Sequence, residues 1–304
     1  MTHRSTIVFK ALAVLVACSR LATAEPAARL SKIELAYGEH PRQSLDLYRA
    51  PIADSDAASP VVVYFHGGGF NHGDKRTVST ALIQRMHKHG ISVASANYRF
   101  ATTDPLPVSM LDGARAVQYL RHVAAEHRLA GSRMATTGSS AGGGIALYIA
   151  LHDDLAAPDS SDLVARHSSR ISCVYAKNAQ VSYDPRFWRE IGLSAAMDAW
   201  SVDRLYGSPK QRVGSPDLKT AYATSSPINF LTADDPPIRL DYSYTAELNS
   251  DTPKSALIHH PFHGIEMKRR CDTHEVECEL SYPDVPYEEA VSYTHLTLPT
   301  ILLV

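Results

Sequence analysis

The order of apolar runs along the chain predicts an α/β protein with a mostly parallel central sheet and helices on both faces. Three observations carry that reading. Short strand-like runs alternate with longer helix-like segments, the arrangement of a parallel sheet crossed over by helices. The run Val61-Val62-Val63-Tyr64-Phe65 is continuously apolar, as expected of a strand buried on both faces. Two glycine-rich strings, His66-Gly67-Gly68-Gly69 and Gly138-Ser139-Ser140-Ala141-Gly142, each come directly after an apolar run.

The first elements expected are two strands, since Ile33, Leu35 and Tyr37, then Leu45, Leu47 and Tyr48, alternate as strands do. Residues 51–60 are polar and read as a loop before the strand at Val61. Residues 77–89 have helical spacing at Val78, Leu82 and Met86 and stop at Gly90. Residues 91–98 form the next strand, and 108–127 a long amphipathic helix with Leu111, Ala114, Val117 and Leu120 on one face. Residues 134–137 enter the second glycine-rich turn, and 141–151 leave it as a helix. Residues 171–176 are again a strand. Between 182 and 226 the periodicity fails, and Trp188, Trp200, Tyr206 and Tyr222 are scattered among Pro, Gly and Asp. That insert is expected to form a cap over the site, its aromatic residues suggesting a hydrophobic pocket. A strand at 237–244, a helix at 264–273 and a last strand at 276–282 complete the pattern.

With 304 residues, 44% of them hydrophobic, the chain can build one large domain. Its expected extent is 25–290, with the cap insert at 182–226. A net charge of -2 gives no electrostatic reason to expect nucleic acid as a partner. None of the 15 histidines falls in a cluster with zinc-like spacing, so neither a metal nor another cofactor is expected. The first 24 residues read as a signal peptide: Arg4 and Lys10, a short apolar core at 11–17, and the small-x-small string Ala22-Thr23-Ala24 before Glu25. The core is too short to span a bilayer, so a secreted or periplasmic protein with no membrane span is expected. Leu15-Val16-Ala17-Cys18 also reads as a lipobox, which would make Cys18 a lipid anchor. Export would leave Cys173, Cys271 and Cys278, an odd number; Cys271 and Cys278 could pair across a helix-to-strand turn. Oligomeric state is not legible.

The chemistry lies in the two glycine-rich strings. G-x-S-x-G is a strand-turn-helix elbow that thrusts the Ser140 hydroxyl out at the mouth of the sheet. Its flanking glycines are needed because a Cβ two positions either side of the serine would clash. The helix after Ser140 aims its amino end at the reacting centre, making the Ala141 N–H an oxyanion donor. The Gly67-Gly68-Gly69 loop supplies the others, and losing one such donor typically costs about 3 kcal/mol of transition-state stabilisation. Together the strings predict a serine hydrolase.

On these strings, with Phe70, Gly73-Asp74-Lys75, Asn97-Tyr98-Arg99, Asp112 and Gly138 to Gly144, the chain from Ile33 to Tyr282 resembles the α/β-hydrolase fold. Within it, the chain resembles the hormone-sensitive-lipase and carboxylesterase branch, including secreted carbohydrate-ester hydrolases of the BD-FAE type. The resemblance implies an acyl-enzyme on Ser140 and a small-molecule or carbohydrate-linked ester as substrate. It gives His66 a structural role, and Asp112 reads as a bracing carboxylate.

The resemblance also sets the chain order of acid and base. The acid comes after the strand that succeeds the insert, where Glu247 and Asp251 are the candidates. The usual H-G-x-x-D phrase is replaced by Asp241-Tyr242-Ser243-Tyr244-Thr245-Ala246-Glu247. The base comes after the last strand, where only His295 stands. But residues 291–300 read VSYTHLTLPT, the translation of a sequencing-adapter strand, so 291–304 is expected to be a non-native tail that truncates the domain. Either the native histidine stood beyond Ala290, or the base is one of His259, His260 and His263, of which His263 at a helix start fits best. A protein that keeps the fold for binding or scaffolding without turnover is the alternative function.

Overall fold

The computed structural model describes residues 30–51, 57–199, 203–207 and 216–283. The expected signal peptide, the Cys18 anchor and the tail with His295 lie outside these residues, as does Trp200. The chain divides into two units, Met1–Ser31 and Lys32–Val304, and the sheet and its helices belong to the second.

An eight-stranded sheet organises this unit in the order β1-β2-β4-β3-β5-β6-β7-β8. β1 (Ile33–Ala36) and β2 (Ser44–Tyr48) form an antiparallel edge, and β2 runs antiparallel to β4 (Ser92–Ala96). From β4 onward all pairings are parallel, through β3 (Ser59–Phe65), β5 (Leu129–Ser139), β6 (Cys173–Lys177), β7 (Ile238–Asp241) and β8 (Cys278–Ser281). The central strands are apolar because both faces are covered: Val61, Val62, Val63 and Phe65 are fully buried.

The crossover helices are α1 (Thr80–His87), α2 (Val108–His122) and α3 (Ala141–Leu151). Ser79 caps α1 by accepting from the Leu82 amide. Helix α3 is apolar on every side and buried from Ala141 to Leu151, as a central helix over the sheet must be. Helix α2 stops at His122, short of the expected 127, and β5 already begins at Leu129, ahead of the expected 134.

The described part of 182–226 holds four short helices, α4 (Pro185–Glu190), α5 (Ser194–Ala199), α6 (Asp203–Tyr206) and α7 (Pro216–Ser225). Trp188, Tyr206 and Tyr222 are buried, with the Tyr206 and Tyr222 rings edge to face at 5.0 Å. They belong to the main hydrophobic core, together with the sheet residues. After β7 come α8 (Lys254–Ile258), which the sequence pattern does not show, and α9 (Phe262–Thr273). Pro261 ends α8 and opens α9, since proline cannot continue a helix. Cys173, Cys271 and Cys278 are free thiols, so the pairing that was open to Cys271 and Cys278 is not made. Instead a hydrogen bond to Cys271, together with burial, raises the Cys278 thiol well above its ordinary range.

Candidate active site

Ser140 stands between β5 and α3 with φ 55° and ψ -125°, a backbone region that non-glycine residues rarely occupy. Two features hold it there. Its amide donates to the Lys177 carbonyl at the end of β6, 2.9 Å away. The neighbouring backbone is packed to contact: a Cβ on Gly142 would lie 2.0 Å from the Phe65 carbonyl oxygen, and one on Gly138 2.5 Å from the Gly142 carbonyl. Glycine is therefore compulsory on both sides, as the G-x-S-x-G spacing implies.

The 66–69 loop comes after β3 and lies against this turn. A Cβ on Gly67 would be 3.0 Å from the Ser139 carbonyl oxygen and 3.6 Å from the Ser140 Cβ. His66 fixes the loop from below. Its ring is buried and stacked on Tyr98 at 4.4 Å, and Nδ1 donates to the Gly67 carbonyl at 2.7 Å. Nε2 then has to accept, and it does so from the Arg42 guanidinium at 3.1 Å. Burial first, and then Arg42, push the imidazole down to about 4, so it is neutral near pH 7. His66 is thus spent on the loop and is not a base. Pulling the Gly67 carbonyl inward turns the Gly68 N–H outward, because the peptide between them is planar and trans. The Ala141 N–H is the first in α3 and, like every first-turn amide, lacks an acceptor within the helix.

Asp112 is buried on α2. It accepts from Gln43 Nε2 at 2.8 Å, from the Arg99 amide at 2.9 Å and from the Arg99 guanidinium at 2.7 Å. It braces the segment after β4.

Of the candidate histidines, the structure brings His259 and not His263 to Ser140: the His259 Nε2 lies 2.8 Å from Ser140 Oγ. Its Nδ1 lies 2.8 Å from the Ser255 carbonyl one turn back in α8. A carbonyl can only accept, so Nδ1 carries the proton and Nε2 accepts from the serine hydroxyl. Burial holds the ring below its ordinary value, partly offset by the Ser255 carbonyl. The Tyr244 ring lies parallel to it, with centroids 6.5 Å apart.

His263 points the other way. It is fully buried on α9 against Trp188 at 4.6 Å and Phe187 at 6.2 Å, with neither ring nitrogen hydrogen-bonded. It is a packing histidine, pushed down to about 3 chiefly by burial. His260 is also buried, and its Nδ1 accepts from the Phe262 amide. Among the described residues neither Glu247 nor Asp251 is bonded to His259; both are exposed in the loop after β7, and the Asp251 carboxylate accepts from the neighbouring Ser250 hydroxyl at 3.5 Å. On the Nδ1 side of His259 stands the Ser255 carbonyl, 2.8 Å away. The one signal that could have singled out His259 is local: it sits four residues after Ser255 and two before the helix-ending Pro261.

A serine on a strained strand-to-helix turn, beside a glycine loop and at the carboxyl edge of a mostly parallel sheet, defines the α/β-hydrolase fold. The BD-FAE family model matches residues 45–243, and the chain belongs to that family. Among curated relatives, esterase LipI of Mycobacterium tuberculosis is 39% identical over 108 residues, 34% of this chain and 32% of that protein. Probable carboxylesterase 6 of Arabidopsis thaliana is 30% identical over 150 residues, 46% and 44% of the two chains. The matches thus span 32% and 44% of those relatives' lengths. Two solved structures have the same fold. An acetyl ester-xyloside bifunctional hydrolase from Caldicellulosiruptor lactoaceticus has a TM-score of 0.63 at 22% identity, covering 90% of this chain and 93% of its own. A thermophilic esterase from Thermogutta terrifontis has a TM-score of 0.61 at 18% identity, covering 90% and 91%. Among the described residues no helix is long and apolar enough to cross a membrane, and no group of three or more His, Cys, Asp or Glu could hold a metal ion.

Proposed function

We propose that this protein is an exported carboxylic-ester hydrolase working through an acyl-enzyme on Ser140. The observation that carries the reading is the 2.8 Å contact between His259 Nε2 and Ser140 Oγ. In the reaction His259 takes the hydroxyl proton as Oγ attacks the ester carbonyl. The amides of Gly67, Gly68 and Ala141 receive the oxyanion. His259 then hands its proton to the departing alcohol, and water repeats the sequence to free the acid. The family, the esterase relatives and the adjacency of the glycine loop to Ser140 support this assignment. Short acyl esters on carbohydrate are its proposed natural form, in line with the hydrolase of C. lactoaceticus. The small-x-small string before Glu25 supports export.

The test is covalent labelling. A fluorophosphonate should add one equivalent to the protein, and peptide mass analysis should place it on Ser140, with Ser140→Ala unlabelled. p-Nitrophenyl acetate should give a burst of nitrophenol that tracks the labelled fraction. Absence of both label and burst would leave the fold without turnover, as a binding protein.

A further inference from the structure

The glycine loop beside Ser140 is gripped by a side chain from another part of the fold. Arg42 stands in the turn between β1 and β2, on the antiparallel edge of the sheet and 24 residues before His66. Its guanidinium reaches both ends of the 66–73 loop: Nη2 donates to His66 Nε2 at 3.1 Å and to the Gly73 carbonyl at 3.2 Å. The two ends close on the same ring, since a Cβ on Gly73 would lie 2.4 Å from His66 Nδ1. Arg42 is itself fixed on the segment after β4. Its Nε donates to the Tyr98 carbonyl at 2.7 Å, Nη2 reaches Asn97 Oδ1 at 3.4 Å, and the guanidinium lies 3.6 Å from the centre of the Phe100 ring. All four acceptors are neutral atoms of the framework around the loop, which is not the arrangement of a surface ion pair.

We infer that Arg42 is a positioning residue for the oxyanion hole and acts by fixing the tautomer of His66. A guanidinium has only hydrogens to offer, so the His66 nitrogen that meets it is bare. The single proton of the neutral ring is thereby confined to Nδ1, where it bonds the Gly67 carbonyl at 2.7 Å. That bond sets the plane of the Gly67–Gly68 peptide, and with it the direction of the Gly68 N–H. With the proton on Nε2 instead, Nδ1 would turn a lone pair toward the Gly67 carbonyl oxygen. Two acceptors at that distance repel, and the peptide would swing away with its N–H. The bond from Arg42 to the Gly73 carbonyl holds the far end of the loop against the same movement. The inference rests on the Ser140 acyl-enzyme reading, which gives the loop an oxyanion to bind. It makes the β1–β2 turn part of the catalytic apparatus.

Nitrogen NMR of the labelled imidazoles reads the tautomer directly. Near neutral pH, His66 of the wild-type protein should show a protonated Nδ1 and a bare Nε2. In Arg42→Ala the opposite tautomer should appear. In the same variant kcat for p-nitrophenyl acetate should fall about a hundredfold, the loss of one oxyanion donor, with KM changed by no more than about twofold. Arg42→Lys keeps a donor and should lie between the two on both readouts, kcat following the fraction of the Nδ1–H form. Dilute guanidinium should restore part of the kcat of Arg42→Ala, and sodium chloride at the same concentration should not. Full kcat in Arg42→Ala would overturn the inference. So would a kcat loss with the His66 tautomer unchanged, which would make Arg42 a brace for the fold alone. If Arg42→Ala does not fold, Arg42→Lys and the wild-type spectrum decide, and an Nε2–H tautomer in the wild type sinks the inference with no variant at all. Failure of the acyl-enzyme reading looks different: fluorophosphonate would then leave wild-type Ser140 unlabelled whichever tautomer His66 adopts.

Discussion

The two halves of the site are built by different means. The nucleophile half, at the ends of β3 and β5, is made of backbone pressed on backbone, with glycines that admit no Cβ and a histidine, His66, locked by partners on both nitrogens. The base half, after β7, hangs on a five-residue helix, one main-chain carbonyl and an exposed loop. The first half tolerates almost no change of sequence and can be recognised by its residues alone. The second works through placement, and its residue types carry little information.

The contrast is sharpest under substitution. Ser140→Ala should lower kcat by a factor on the order of 10⁴ to 10⁶ in p-nitrophenyl acetate hydrolysis, and His259→Ala by a comparable factor, because the two act as a unit. A His259→Ala variant with full kcat would show that the base comes from elsewhere in the chain. Next in size, Gly142→Ala forces a Cβ to 2.0 Å from the Phe65 carbonyl oxygen and should cost more than about 3 kcal/mol in a denaturant melt, or prevent folding. Helix α8 contains no glycine, so a steric penalty of this kind is peculiar to the nucleophile half.

The same division separates what the sequence discloses from what it hides. Gly138, Gly142 and the Gly67–Gly69 loop are legible because each answers a local steric demand that no other residue meets. The parallel sheet is legible from runs such as Val61–Phe65, since strands covered on both faces have no polar side. His259 is not. His263 has the better local argument, at a helix start beside Gly264, but tertiary packing takes its ring into the apolar contact with Trp188. Glu247 and Asp251 are favoured by chain order alone, and chain order says nothing about whether a loop folds in or out. The insert's aromatic residues are visible, but whether they face a substrate or one another depends on helices too short to leave a periodic trace.

Two smaller effects of acid separate the halves further. Activity needs a neutral His259, and burial lowers its value, so kcat/KM should fall with a midpoint below 6.5 as the pH drops. A midpoint at or above 6.5 would place the base in a more solvated or carboxylate-paired setting. Stability should respond through His263. Its folded value is about 3 against 6.5 for the free side chain, so below pH 6.5 the unfolded chain binds a proton that the folded one refuses. The melting temperature should therefore drop steadily between pH 6.5 and about 3. His263→Phe should flatten that slope by a few degrees per pH unit in calorimetry, at about 1.4 kcal/mol per unit for one proton. An unchanged slope would assign the acid sensitivity to other groups.

The doubly anchored ring beneath the glycine loop has a consequence for how the molecule fails. His66 resists protonation down to about 4, so the oxyanion cradle keeps its neutral anchor at acidities where a free histidine is already charged. An inhibitor that mimics the tetrahedral adduct should still dock there when hydrolysis has stopped, and returning the sample to neutrality should revive it at once, with no refolding delay.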